Sequence, residues 1–147
     1  TDEGLAHLKD PFAGLKNLRR LKLQLSHSRN ENLTQQGLAS LCKGISGMKS
    51  LNSLTLLLAN SNLVSKDSVE TLSSLISSIN CLRKVHLNLQ SEKLVTEELN
   101  SLKFAVHRAR LTKFHLLLMQ NVPQDIVMEM KNGLNIQNLY ISKKLNK

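Results

Sequence analysis

Lysine and histidine recur at matching positions of one repeated phrase in this 147-residue chain. Lys84 and His86 occupy the same places in one copy that Lys113 and His115 occupy in the next. Lysine attracts anionic groups, and two neighbouring imidazoles can bind a metal ion. No third ligand from Cys, Asp or Glu stands beside the two histidines in the repeat, so we expect polar surface residues and no metal site.

The phrase is Leu-x-x-Leu-x-Leu-x-Leu or a close variant, and its copies begin 25 to 33 residues apart. The copies start at Leu18, Leu51, Leu82, Leu111 and Ile136. Self-similarity at this period predicts stacked repeats, which form extended surfaces that bind other macromolecules. The corresponding strands are predicted near 18–25, 51–58, 82–89, 111–118 and 136–142.

Helical spacing of apolar residues separates the strand phrases. It predicts helices over 34–47, 67–79, 96–109 and 123–132, and a weaker N-terminal helix over 2–14 that is interrupted near Pro11. Asp67 or Ser68 is the predicted N-cap of the second of these helices. Strands that alternate with helices predict a parallel sheet with right-handed crossover connections.

Two folds contain such connections, the doubly wound sheet and the curved solenoid. A doubly wound sheet usually places a glycine-rich loop after its first strand. The loops after the first two strands, SHSRNENL and ANSNLVSKD, contain no glycine. The near-constant repeat therefore favours a curved solenoid with the strands inside and the helices outside.

The phrase L-x-x-L-x-L resembles the leucine-rich repeat, and the helices and long period resemble its ribonuclease-inhibitor-like subclass. The resemblance covers roughly residues 15 to 142. It implies an α/β leucine-rich-repeat solenoid, a horseshoe arc with a parallel sheet on the concave side and helices on the convex side. The Asn or Cys that this family places after the strand has candidates only at Asn60, Asn62 and Asn121. We expect residues 1–147 to form a single such domain and to be a fragment of a longer chain.

In each strand the leucines point to one face and the residues between them point to the other. Three rows are predicted to cross the concave face. The first is Arg20, Ser53, Lys84, Lys113 and Asn138; the second is Lys22, Thr55, His86, His115 and Tyr140; the third is Gln24, Leu57, Asn88, Leu117 and Ser142. All members except Ser53, Asn138 and Ser142 form the predicted partner-binding face.

The lysines and arginine of the first two rows form a cationic stripe that suits an acidic helix, an acidic tail or a nucleic-acid backbone. Leu57 and Leu117 would add a small apolar patch beside it, as at protein-binding faces. The alternative is a solvated sheet face whose charges serve solubility and whose leucines pack under a loop.

The composition indicates a packed domain with acidic partners. Hydrophobic residues make up 41% of the chain, and the net charge is +9. Aromatic residues make up only 3%, and Phe12, Phe104 and Phe114 are predicted to be internal. Single-strand binders normally interleave aromatic platforms with basic residues. Any RNA contact would therefore be made to the phosphate backbone.

The sequence contains no G-x-S-x-G, P-loop or H-E-x-x-H motif, and no carboxylate pair on the strand rows. We therefore expect neither an enzyme nor a cofactor. Two cysteines make no disulfide framework, Cys42 is predicted to be buried, and a reducing intracellular location, the cytoplasm, is expected. The apolar runs are too short for membrane insertion.

These features predict a non-catalytic protein-interaction or scaffold module in a larger intracellular assembly, with a protein partner of acidic surface. An RNA-associated component of a ribonucleoprotein is one alternative. Regulation of a small GTPase is another, because some proteins of the resembled family act on small GTPases. Only KKLNK follows the last strand, so we expect further repeats or another subunit to cover that edge.

Overall fold

The computed structural model describes residues 1–25, 33–59, 63–90, 99–118, 125–126, 128 and 138–143. In these ranges the strands are β1 Arg20–Gln24, β2 Ser53–Leu57, β3 Lys84–Asn88, β4 Lys113–Leu118 and β5 Asn138–Lys143. The helices are α1 Asp2–His7, α2 Lys9–Gly14, α3 Gln35–Ser46, α4 Lys66–Ser78 and α5 Leu99–Arg108. The helix predicted over 123–132 falls largely outside the described residues, as do Asn60, Asn62 and Asn121.

The five strands form one parallel sheet in the order β1-β2-β3-β4-β5. Each connection therefore moves one strand further in the same direction. This order confirms the predicted parallel α/β architecture. It contradicts the doubly wound alternative, because that fold reverses its strand order at a switch point.

The strands begin about two residues later than the repeated phrase. Leu51, Leu82 and Leu111 open their copies, yet they lie in the turns before β2, β3 and β4 and are fully or almost fully buried there. Pairing starts where the Arg19 carbonyl accepts hydrogen bonds from Asn52 N and Ser53 N at 2.8 and 3.0 Å. These three leucines thus anchor the turns to the core and do not extend the strands.

The core lies between the sheet and helices α3, α4 and α5. Every second strand residue is buried in β2, β3 and β4, including Leu54, Leu56 and Phe114. The helices contribute a matching apolar side, with Leu38 and Leu102 fully buried. Burying a leucine or phenylalanine side chain stabilises the fold by about 1.5–3 kcal/mol. The repeat therefore supplies the driving force for stacking each unit on the next.

The N-terminal helix is interrupted at Leu8, and the predicted break at Pro11 is wrong. Pro11 is the third residue of α2. Amides in the first turn of a helix have no intrahelical acceptor, so proline removes no hydrogen bond there.

Both short helices pack against α3. A carboxylate oxygen of Asp2 accepts a hydrogen bond from Thr34 N at 2.6 Å, and the other accepts one from the Thr34 hydroxyl. Thr34 is the N-cap of α3. At the other end of α3, the backbone of Lys9 approaches Gly44 so closely that a Cβ there would lie 2.7 Å from the Lys9 carbonyl oxygen.

Two details of the helices differ from the sequence prediction. Ser65, and not Asp67 or Ser68, is the N-cap of α4, because its extended backbone lets its hydroxyl accept from Ser68 N at 3.3 Å. Phe104 is 67% exposed, because it lies on the side of α5 opposite the buried Leu102 and Val106. The Lys103 ammonium lies 5.3 Å from the centre of its ring.

Candidate functional site

The strand register aligns the three predicted rows. In each row, every residue is the register partner of the next one on the neighbouring strand. The rows are Arg20, Ser53, Lys84 and Lys113; Lys22, Thr55, His86 and His115; and Gln24, Leu57, Asn88 and Leu117. Backbone pairing places Asn138, Tyr140 and Ser142 next in these rows, although their side chains are outside the described set. We call this side of the sheet, opposite the buried leucines, the open sheet face.

Four cations of the open sheet face are exposed: Arg20, Lys22, Lys84 and Lys113. Adjacent strands lie about 4.8 Å apart, so Lys84 and Lys113 are direct neighbours. None of the four forms an ion pair with a carboxylate in the described part of the chain. The face therefore presents a positive potential that a partner of opposite charge would neutralise.

The two histidines stack on each other in the middle of this face. Their ring centroids are 4.3 Å apart, with 22° between the ring planes. Burial lowers the pKa of His86, and the charges of His115 and Lys22 lower it further. Burial also lowers the pKa of His115, with a further contribution from Lys113. At pH 7 both rings are mainly neutral, so the lysines and not the histidines supply the charge.

The stacked geometry does not suit a shared metal ion. A ring nitrogen donates its lone pair in the plane of the ring, so stacked rings direct their lone pairs side by side and not at one point. Nε2 of His86 is buried and has no hydrogen-bond partner among the described atoms. In the same set of residues, no three His, Cys, Asp or Glu side chains group closely enough to hold a metal.

The third row contains both apolar and polar side chains. Leu57 and Leu117 are half-buried and two strands apart, about 10 Å, with Asn88 between them. The Asn88 side-chain oxygen accepts a hydrogen bond from Gln90 N at 3.2 Å. The predicted apolar patch is thus two separate apolar positions on either side of an amide.

A second basic surface, which the sequence analysis did not single out, lies where the strands begin. Five of the chain's six arginines lie here. Arg19 and Arg83 directly precede β1 and β3, and Arg20 is the first residue of β1. Arg108 is the last residue of α5, and Arg110 lies in the turn between α5 and β4. We call these five residues the arginine edge. The four segments 15–20, 47–53, 79–84 and 107–113, three of which hold these arginines, contain nine lysines and arginines and no Asp or Glu.

Two polar concavities lie along the arginine edge. One, of about 380 Å³, is lined by Arg19 and Arg20 together with Ser50, Asn52 and Cys81. The other, of about 210 Å³, is lined by Ser77, Ile79, Asn80, Arg83, Arg108, Ala109 and Arg110. Among the described residues, neither lining includes a carboxylate. The edge was missed because only Arg20 of the five lies in the predicted rows. Arg19 and Arg83, each at the second position of its copy of the phrase, were a visible signal.

Arg110 has an unusual backbone conformation. Its φ is 50°, and among the described residues other than glycine it alone has a positive φ. It follows the end of α5, where a left-handed residue commonly ends a helix and is usually glycine. An arginine in this conformation costs about 1–2 kcal/mol.

An apolar groove of about 340 Å³ lies between α3 and α4 on the helix side. It is lined by Ala39, Cys42, Lys43, Ser46, Thr71, Ser74, Leu75 and Ser78. Cys42 is buried, as predicted, and burial raises the pKa of its thiol to about 12. It therefore has almost no thiolate at neutral pH and is not a reactive nucleophile.

No protein-family model matches the chain, and no curated protein matches it in sequence. Its structure is similar to that of leiomodin-1 actin-binding site 2, with a TM-score of 0.60 and 10% sequence identity. The similarity covers 97% of this chain and 80% of the leiomodin chain. At this identity the likeness concerns the fold. No helix in the described ranges is both long and apolar enough to cross a membrane.

Proposed function

We propose that this chain is a leucine-rich-repeat domain of the ribonuclease-inhibitor-like kind, curved with the open sheet face on its concave side. Its function is to bind a protein partner through that face, without catalysis. Two observations support this classification. The leucine phrase occurs five times along the chain, and the strands form one parallel sheet in chain order.

The main support for protein binding is the composition of the open sheet face. Lys22, Lys84 and Lys113 are exposed and bear no ion pair with a described carboxylate. Half-buried Leu57 and Leu117 lie beside them. A cationic surface bordered by apolar side chains suits an acidic protein surface that also has apolar contacts to bury.

The similar structure is named as an actin-binding site of leiomodin-1, and this name also favours a protein partner. Actin is therefore a defined partner with which to begin. The ribonucleoprotein and small-GTPase alternatives remain proposals of lower rank, because no residue of the open sheet face is specific to either.

The test compares three purified proteins of known charge. The face variant carries Lys22→Glu, Lys84→Glu and Lys113→Glu. The control variant carries Lys9→Glu, Lys43→Glu and Lys66→Glu, three exposed residues of helices, and has the same net charge. Co-sedimentation with actin and affinity capture from extract, each with and without nuclease, measure binding by all three.

We expect the control and the unchanged protein to retain the same nuclease-resistant protein partners, and the face variant to lose them. Equal retention by the face variant at low salt would remove the open sheet face from the binding site. Loss of every partner after nuclease treatment would instead favour the ribonucleoprotein.

A further inference from the structure

We propose that the arginine edge is a second binding surface, separate from the open sheet face except at Arg20, and that it binds the phosphate backbone of nucleic acid without reading its sequence. The inference goes beyond the proposed protein-binding function and does not depend on it.

The distribution of arginine within the chain is the first support. Lysine outnumbers arginine 14 to 6, yet five of the six arginines lie on this one edge. Solubility would be served equally by either residue. The guanidinium differs because its planar fork binds phosphate oxygens in pairs. The concentration of arginine beside two concavities whose described linings contain no carboxylate therefore indicates an oxyanion ligand.

One arginine of the edge is held in place by the protein itself. Nη1 of Arg83 donates to the carbonyl oxygens of Asn80 and Leu82 at 2.9 and 2.8 Å. Arg83 also lines the 210 Å³ concavity, together with Arg108 and Arg110. Immobilising the side chain in advance lowers the entropy lost on binding.

Arg110 gives an independent reason to assign a function to this edge. A glycine would satisfy its left-handed backbone without strain, and an arginine does not. Backbone strain of this kind is concentrated at functional sites. Arg110 thus lines the concavity in spite of its local conformation.

The extent of the edge favours a repeated anion over a single phosphate group. Arg19 and Arg83 precede β1 and β3 and are two strands apart, about 10 Å, and Arg110 precedes β4. The two concavities therefore lie side by side, each with its own arginines. A polynucleotide offers phosphates at intervals along such a line. Among the described residues that line the two concavities, none has an aromatic side chain on which a base could stack, so the contact is to the backbone.

The test measures binding of end-labelled 20-base-pair duplexes of two unrelated sequences by fluorescence anisotropy, over a range of salt concentrations. The edge variant carries Arg19→Gln, Arg108→Gln and Arg110→Gln, which are all exposed. The matched control carries Lys43→Gln, Lys66→Gln and Lys103→Gln, with the same net charge. Arg83 is left unchanged because its guanidinium also bonds to the turn.

Each phosphate contact contributes about 0.9 to the slope of log K against log salt on B-form DNA. We expect the edge variant to lose about 2.7 of that slope and roughly 100-fold in affinity at physiological salt, whereas the control keeps both. Both duplexes should bind equally. A face variant with Lys22→Gln, Lys84→Gln and Lys113→Gln loses the same charge as the edge variant and should keep more affinity than it does, which separates this surface from the proposed protein site.

Three results would overturn the inference. The first is equal loss by the edge and control variants, which would mean that net charge alone attracts the duplex. The second is binding of polyglutamate or of a phosphoserine peptide with the same affinity and the same dependence on the arginines, which would assign the edge to a protein. The third is absence of duplex binding by the unchanged protein at low salt.

Discussion

Replacement of Gly44 by alanine tests how the N-terminal helices are held on the domain. A Cβ at Gly44 would lie 2.7 Å from the carbonyl oxygen and 2.8 Å from the Cα of Lys9. Both neighbours are backbone atoms, so α2 must move away by roughly 0.7 Å to restore ordinary contact. Overpacking of this kind costs about 1–3 kcal/mol, and the better helix propensity of alanine offsets about 1 kcal/mol of that.

We therefore expect Gly44→Ala to lower the free energy of unfolding by about 1 kcal/mol, and by at most about 2. The matched substitution is Gly14→Ala, because a Cβ there meets nothing within 4 Å. It should stabilise the protein by about 0.5 kcal/mol, since alanine restricts the unfolded chain. Urea unfolding of the three proteins, with unchanged m values, measures both effects. If Gly44→Ala were as stable as Gly14→Ala, the close approach of α2 to α3 would be refuted.

Three further predictions concern single positions. The pKa values of His86 and His115 lie below the ordinary value of 6.5, so the unfolded chain binds more protons and stability falls as the pH drops through 6.5 towards the folded values. Urea unfolding at pH 7.5 and 5 should show this loss, and replacing both residues by glutamine should reduce it; an unchanged pH dependence would contradict the assignment. Arg110→Gly should raise the melting temperature by about 2 °C, whereas Arg110→Ala should not, because alanine keeps the positive φ; calorimetry that finds no difference between the two would refute the strain. Thr34→Ala should lower the free energy of unfolding by about 1 kcal/mol, because it removes the α3 cap and the hydrogen bond from the Thr34 hydroxyl to Asp2. Denaturant unfolding measures this loss, and a smaller loss in Thr34→Ser would confirm that the hydroxyl is responsible.

The faces and the register of the sheet were predictable because each copy of the phrase has the same alternation of apolar and polar residues. Alternation within each copy defines two faces, and alignment of the copies defines the register, so the pairing of Lys84 with Lys113 and of His86 with His115 followed directly. The curvature and the family assignment do not follow from these contacts and stay proposals.

Features that depend on the turns were not predictable from the phrase. The arginine edge combines Arg19, Arg20 and Arg83, which lie near the start of their copies of the phrase, with Arg108 and Arg110 at and after the end of α5, and the phrase alone does not bring these two groups together. The break at Leu8 and the left-handed Arg110 are set by how the helices end, which single-residue preferences do not determine. The exposure of Phe104 depends on which side of α5 faces the core, and its hydrophobicity alone suggested the opposite.

The sequential strand order also determines how a bound ligand would change the local stability of the sheet. Each strand pairs only with its neighbours in the chain, and α3, α4 and α5 likewise pack in succession. Opening of one unit therefore disturbs mainly the units on either side of it, so amide hydrogens of different units exchange with solvent at different rates. A ligand that crosses several strands would join these units into one cooperative block. The strands whose amide exchange slows on binding would then trace the ligand's path across the sheet.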